Sequence, residues 1–402
     1  MKGPWYSNNR TRLLTDGDEF FPRVFEAISQ ARQEILLETF ILSDDKVGQE
    51  LRKRLIEAAE RGVQIAVMVD GFGSPGLEGE FLDGMTKVGV KFKVFNPGVT
   101  LFGFRTNLFR RMHRKIVVID GKIAFVGGIN FIADQLSDFG PEAKRDYAVE
   151  IEGPVVSEIR KFAIRSNRNG RYRPSTSAPA DDAQSHRPAR IQFVHRDNRN
   201  SRNSIERQYH LAIRKAQHEI IIANAYFFPG YRLLWRLRQA ARRGVRVVLI
   251  LQGRPDIGMV QWASRQLYGY LLSGQVEIYE YCERPLHGKV AIVDNEWSTI
   301  GSSNLDPLSL SLNLEANVVI LDHEFNRALR ARLQELLDKE CHRIQPEDGF
   351  HSHWWSGLTG VAVFHFLRHF PTWAGLLPKH TIVLKPMHET EQSGTDTRGI
   401  ST

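Results

Sequence analysis

Apolar residues along the chain fall into short runs separated by amphipathic stretches, and the order of these segments occurs twice. In the first half, EILLETFIL, VQIAVMV and VKFKVF read as buried strands. Apolar positions three and four apart predict helices over about 18–32, 46–61 and 76–87. In the second half, EIIIANAYF, VRVVLIL and VEIY repeat the strands, with helices predicted over about 204–216, 230–242 and 257–272. Arg61-Gly62-Val63 and Arg243-Gly244-Val245 stand at equivalent helix-to-strand corners, where glycine suits the turn that ends a helix. Alternating helices and strands predict an α/β fold with a mostly parallel central sheet in each half, and ligands in such sheets sit beyond the strand ends. The expected organisation is an N-terminal half over 1–172, a linker over 173–200, a C-terminal half over 201–345 and a tail over 346–402.

Each series closes on the same longer stretch. HRKIVVIDGKIAFVGGIN starts at His113 and HGKVAIVDNEWSTIGSSN at His287, and both fit H-x-K-x4-D-x6-G-[GS]-x-N. In a buried strand the side chains alternate between faces, so His113 and Lys115 project to one side, as do His287 and Lys289. Asp120 and Asp294 have the opposite parity. They stand in Asp-Gly and Asp-Asn pairs that signal hairpin turns, so they read as turn or supporting residues. After each returning strand, Gly127-Gly128 and Gly301-Ser302 let backbone approach a ligand, and Asn130 and Asn304 add amide donors.

Two histidines, two lysines and two asparagines converging on one point suit a phosphate diester. Lysines and amides neutralise the phosphoryl oxygens, one imidazole attacks phosphorus, and the other protonates the leaving oxygen. Such a histidine needs an acceptor on its other ring nitrogen. Each half offers one downstream, Asp146 for His113 and Glu315 for His287; a solvated acid at a strand edge would fit the same spacing.

At these residues the sequence resembles the phospholipase D superfamily. ETFILSDDKVGQ, RGVQIAVMVDGFGS, RTNLFRRMHRK and FGPEAKRDYAVEIEGP extend the resemblance to the bacterial cardiolipin synthases, in the shorter B-type form without an N-terminal transmembrane pair. The likeness covers roughly residues 10 to 345. It implies two tandem phospholipase D-like halves with the site at their interface. It also implies a two-step transfer through a phosphohistidine, with no metal and no cofactor. The catalytic set it carries over is His113, Lys115, Asp120, His287, Lys289 and Asp294. It further implies that His113 attacks, that phosphatidylglycerol is the donor, and that another lipid alcohol is the acceptor. Two alternatives are a hydrolase of phospholipid or nucleic acid and an inactive binding module; the intact motifs argue against the second.

Charge and the remaining apolar stretches bear on the partner. A net charge of +8 and a pI near 9.4 imply an anionic partner, either nucleic acid or an acidic membrane surface. Between Phe95 and His113 the chain spends far more residues than the second half does. That surplus mixes Leu101, Phe102, Phe104, Leu108 and Phe109 with Arg105, Arg110 and Arg111, which suits a loop entering a lipid surface or one packed over the domain joint. The aromatics sit among aliphatics rather than as base-stacking residues in a basic groove, so a lipid is expected rather than nucleic acid. Arg196, Arg199 and Arg202 suit a rim that gathers headgroups, or a solvated loop. WWSGLTGVAVFHFLRHFPTWAGLL, over 354–377, suits either a membrane interface or a docked helix. Beyond Pro386 the tail reads as disordered. Only Cys282 and Cys341 occur, so a reducing compartment is expected. With no apolar run of spanning length, the expected location is the cytoplasmic face of the bacterial cell membrane, held peripherally.

Overall fold

The computed structural model describes residues 3–77, 79–97, 100–101, 104–105, 110–168, 189–198, 200–254, 264–345 and 384–386. The Pro/Ser/Ala-rich linker, the segment 354–377, the tail beyond Pro386, most tips of the loop before His113 and the start of the predicted 257–272 helix lie outside them.

The first half runs β1 (Tyr6–Thr15), α1 (Asp16–Gln30), β2 (Glu34–Thr39), α2 (Lys46–Glu60), β3 (Gln64–Asp70), α3 (Glu80–Lys87) and β4 (Lys91–Phe95). After a short pair, β5 (Thr100–Leu101) and β6 (Phe104–Arg105), come the motif hairpin β7 (Ile116–Ile119) and β8 (Ile123–Gly127), then β9 (Tyr147–Glu152) and α4 (Val155–Asn167). The second half repeats the plan with β10 (Ala189–Arg196), α5 (Ser204–Lys215), β11 (Glu219–Asn224), α6 (Tyr231–Arg242), β12 (Arg246–Gln252), α7 (Tyr268–Leu272) and β13 (Glu277–Tyr281). Its motif hairpin is β14 (Lys289–Val293) and β15 (Trp297–Gly301), followed by α8 (Pro307–Ser311), β16 (Glu315–Leu321) and α9 (His323–Lys339). The short strands β17 (Cys341–Arg343) and β18 (Leu384–Pro386) lie at the two edges of the sheet.

All of these strands except β5 and β6 join one sheet, ordered β17-β13-β12-β11-β14-β15-β16-β10-β1-β9-β8-β7-β2-β3-β4-β18. The α/β duplication is as expected, but the sheet is mixed. Among the described strands, parallel pairing is confined to β2-β3-β4 and β11-β12-β13. The cause is local: each motif hairpin lies against the first parallel strand of its half, and a hairpin is antiparallel by construction.

The two halves meet at an antiparallel seam, Tyr6 opposite Ile191 and Asn9 opposite Ala189. Asn8 bends β1 there with φ 62°. Buried Asn9 satisfies the bend: its amide donates to the Tyr6 and Ala189 carbonyls at 2.7 and 3.1 Å, and its Oδ1 accepts from Val155 N at 3.0 Å. α4 and α9 cover one face of the sheet across the seam, over a core shared by Ile116, Val118 and Val149 of one half and Val290, Ile300 and Val318 of the other. Alternate residues of β7, Val117 and Ile119, face the opposite core under α1, α2 and α3. α5, α6 and α7 close the corresponding core in the second half. Among the described residues no helix is long and apolar enough to cross a membrane.

Candidate active site

The chain enters each motif strand along the other half's acid-bearing strand. Met112 bridges Leu314, with His113 N donating to Leu314 O at 2.9 Å and Leu314 N to Arg111 O at 2.8 Å. On the symmetric side Arg145 bridges Leu286, with His287 N donating to Arg145 O at 2.8 Å. This crossing fixes the side chains. His113 Nδ1 lies 3.2 Å from Glu315 Oε2 and 3.1 Å from the Ser302 carbonyl, and His287 Nδ1 lies 2.5 Å from Asp146 Oδ2. The pairing expected within each half is therefore replaced by pairing across the halves. Sequence order placed Asp146 with His113; the backbone places it on His287.

Lys115 and Lys289 share the histidines' face and are buried. Each ammonium donates to the carbonyl of its own histidine, Lys115 at 2.8 Å. Phe40, at the end of β2, packs edge-on against the His113 ring at 4.9 Å, with Lys115 Nζ 5.2 Å from its centre. With both Nδ1 atoms occupied, both Nε2 atoms remain for chemistry.

The two acids differ. Burial pushes the Asp146 carboxyl up to about 7. Burial acts the same way on Glu315, but His113, Lys115 and the Ser302 hydroxyl outweigh it and hold Glu315 below the ordinary glutamate value. One aligned position contributes to the difference. A Cβ on Gly128 would stand 2.3 Å from Asp146 Oδ1, so glycine admits the shorter acid, whereas Ser302 stands there in the second half and donates to the longer one. Burial, then Lys115, lowers His113; burial, then Lys289, lowers His287 well below the usual imidazole value. Burial, then Lys289, pushes Lys115 down to about 7. Two buried cations that disfavour each other form a site completed by an anion.

Asp120 and Asp294 are not in this cluster. Both have positive φ, 52° and 49°, at the hairpin turns. Asp120 accepts from the backbone N–H groups of Arg32, Gln33 and Glu34 at 3.0, 2.7 and 3.0 Å. Asp294 accepts from Gln217, His218 and Glu219 at 3.0, 2.8 and 3.0 Å. Their placement in the catalytic set is therefore corrected: they tie the end of the first helix in each half to its motif hairpin, as strand parity indicated. Asp120→Ala should cost about 1–3 kcal/mol of stability through three lost acceptor contacts and an unfavourable φ. Urea unfolding should show this, while kcat of the folded fraction stays near that of the unaltered chain.

The other expected residues divide. Asn130 Oδ1 accepts from Ile41 N at 3.1 Å, which leaves its NH2 end for a ligand. Asn304 is buried, and its Oδ1 has no protein partner among the described residues. Arg111 is buried 3.7 Å from Asp70 and stacked on Phe72 at 4.5 Å, while the Arg110 carbonyl accepts from Asn96. Arg196 is no headgroup-gathering rim residue. It is buried and donates to the Leu310 (3.2 Å), Ser311 and Asn313 carbonyls, bracing the turn that leads into Glu315. Asp16 plays the matching part for Asp146. It accepts from Asp146 N at 2.9 Å, Arg145 Nη1 at 3.0 Å and Arg284 Nη2 at 2.9 Å. Sequence reasoning did not find Asp16, Phe40, Arg145 or Arg284. Of these only Arg145, beside Asp146, carried a local signal.

Residues 24–163 and 209–337 match the family model described as cardiolipin synthase, PLD-like domain. The chain is 52% identical over 384 residues to cardiolipin synthase B of Salmonella typhi, covering 95% of this chain and 93% of that protein. It belongs to the B-type cardiolipin synthases, within the phospholipase D superfamily. Cardiolipin synthase B of Escherichia coli K12 is 48% identical over 407 residues, covering 99% of this chain and 97% of that one. In fold, this cardiolipin synthase family member resembles the crystal structure of phosphatidylserine synthase from Haemophilus influenzae, with TM-score 0.68, 13% identity and coverage of 92% and 96%.

Proposed function

We propose that this enzyme moves a phosphatidyl group from phosphatidylglycerol to the headgroup hydroxyl of a second phospholipid, forming cardiolipin and glycerol through a phosphohistidine on His113. The observation that carries the role assignment is the contrast between the two acids. Ionised Glu315 accepts the Nδ1–H of His113, so Nε2 of that ring bears the lone pair that attacks phosphorus. Asp146, neutral below about pH 7, donates its proton to Nδ1 of His287, so Nε2 of that ring bears the proton.

The proton count then closes. As the phosphorus–nitrogen bond forms and the phosphorus–glycerol oxygen bond breaks, His287 Nε2–H passes its proton to the departing glycerol and Asp146 passes its own to Nδ1. His113 becomes a phosphorylated imidazolium, stabilised by Glu315. In the second step the acceptor hydroxyl gives its proton to His287 Nε2, the Nδ1 proton returns to Asp146, and phosphorus leaves His113. Lys115, Lys289 and the Asn130 amide face the phosphoryl oxygens throughout.

Among the described residues no three His, Cys, Asp or Glu side chains gather as a metal-binding group, and the two lysines supply positive charge without one. Incubating purified protein with phosphatidylglycerol and EDTA should release glycerol and form cardiolipin in equal amounts. Phosphatidic acid as the main product would mark a hydrolase instead. Loss of turnover in EDTA with recovery on adding magnesium would refute the metal-free reading.

A further inference from the structure

α6 is the duplicate of α2, and the two helices differ where the fold does not require it. Their shared corners, Arg61-Gly62-Val63 and Arg243-Gly244-Val245, set the alignment, and buried Leu51, Leu55 and Ala58 match buried Leu233, Leu237 and Ala240. The outward positions diverge. α2 carries Gln49 and Lys53 there, and its acids Glu50 and Glu57 lie 2.6 and 3.9 Å from Arg54. α6 has Tyr231 in place of Gln49, Trp235 in place of Lys53, Arg232 in place of Glu50 and Arg242 in place of Glu60. No acid occurs between Tyr231 and Arg242.

Trp235 is 56% exposed, Tyr231 39%, and Tyr270 of neighbouring α7 42%, with Arg238 stacked over Tyr270 at 4.0 Å. Arg236 and Arg243 donate to carbonyls of α5, while Arg232 and Arg242 are exposed. Glu206 of α5, whose carboxylate would stand 3.8 Å from a Cβ on Gly230 at the start of the helix, lies 3.4 Å from His210. The outward face of α2 is polar and carries its own ion pairs; α6 carries aromatics at two of the same positions and arginines, with no acid in the helix, at two others. It also begins near the site. β11 ends at Asn224, opposite Lys289, and the chain then reaches Tyr231 past Phe228, whose N–H donates to Leu305 O at 2.7 Å, one residue beyond Asn304.

We infer that the outward face of α6 docks on an anionic lipid bilayer, with Trp235 and Tyr231 entering the headgroup boundary and Arg232, Arg238 and Arg242 meeting lipid phosphates. This rests on the lipid reading of the site and adds the surface that delivers the site to its substrate.

Restoring the twin's residues tests it. Two variants, Tyr231→Gln with Trp235→Lys and Arg232→Glu with Arg242→Glu, are compared with the unaltered chain by sedimentation with vesicles of phosphatidylcholine, with and without phosphatidylglycerol. Partition onto the anionic vesicles should fall at least about tenfold for each variant, and turnover of phosphatidylglycerol in detergent micelles should not change, which also shows that the variants fold. Variants that sediment like the unaltered chain would overturn the dock. So would a changed oligomeric state with unchanged sedimentation, which would assign the face to a second copy of the chain. If the unaltered chain binds vesicles yet makes no cardiolipin in micelles, the dock stands and the functional reading falls.

Discussion

His113→Ala is expected to lower turnover at least about 10⁴-fold with every substrate, because no other group can form the covalent intermediate. His287→Ala should be as inactive on phosphatidylglycerol but not on a substrate with a better leaving group. A phosphatidyl ester of p-nitrophenol releases a phenolate that needs no proton at neutral pH, so the acid role of His287 becomes dispensable in the first step. That variant should then show a burst of p-nitrophenol and stall as the phosphoenzyme, since its second step still lacks a base. Rapid-mixing absorbance measurements distinguish the two variants; equal failure on both esters would remove the division of labour.

The second large effect concerns the acids and follows from the crossed pairing. Asp146→Asn and Glu315→Gln should each lower kcat by about 10²–10⁴, the range found when a histidine loses its orienting or proton-exchanging partner. Only Asp146→Asn should regain a burst with the p-nitrophenyl ester, because Asp146 serves the leaving-group histidine. Pairing within each half would give the opposite result, rescue of Glu315→Gln. The pH profile gives an independent sign. Burial raises the Asp146 carboxyl to about 7, so the Asp146–His287 pair holds its catalytic proton below that value and loses it as pH rises. For the unaltered enzyme kcat/KM should therefore decline on the alkaline side, where the pair and Lys115, itself pushed down to about 7, both lose a proton. Asp146→Asn, which has no such proton, should remove the pair's part of that limb, whereas Glu315→Gln should keep it and, by taking a negative charge from Lys115, shift the lysine's part to lower pH.

Much of this site was legible in the sequence because it depends on short-range geometry. Strand parity put His113 with Lys115 and His287 with Lys289, and the Asp-Gly and Asp-Asn pairs marked the hairpins in which Asp120 and Asp294 cap backbone N–H groups. The identity of the acids was legible too, since both open strands after their motifs. Which histidine each acid serves was not. It is decided by the Met112–Leu314 and Arg145–Leu286 bridges, contacts between segments far apart in the chain that leave no periodic trace. The seam was equally hidden. β1 reads YSNNRTRLLT, without the alternation of a half-buried strand, because its polar residues are satisfied by the other half and by α4: Asn9 bonds Ala189 and Val155, and Tyr6 donates to Glu158 at 2.9 Å. The mixed character of the sheet follows from the same hairpins that carry the motif, which the alternation of helices and strands alone does not report.

The central claim is that Glu315 prepares His113 to attack while Asp146 prepares His287 to donate a proton. Quenching the enzyme in acid during turnover of phosphatidylglycerol labelled in its phosphate, then digesting it and locating the adduct by mass spectrometry, tests this most directly. The account predicts the label on the peptide that carries His113. Label on the peptide that carries His287 would contradict it, since the nucleophile would then be the imidazole whose partner acid burial raises to about 7.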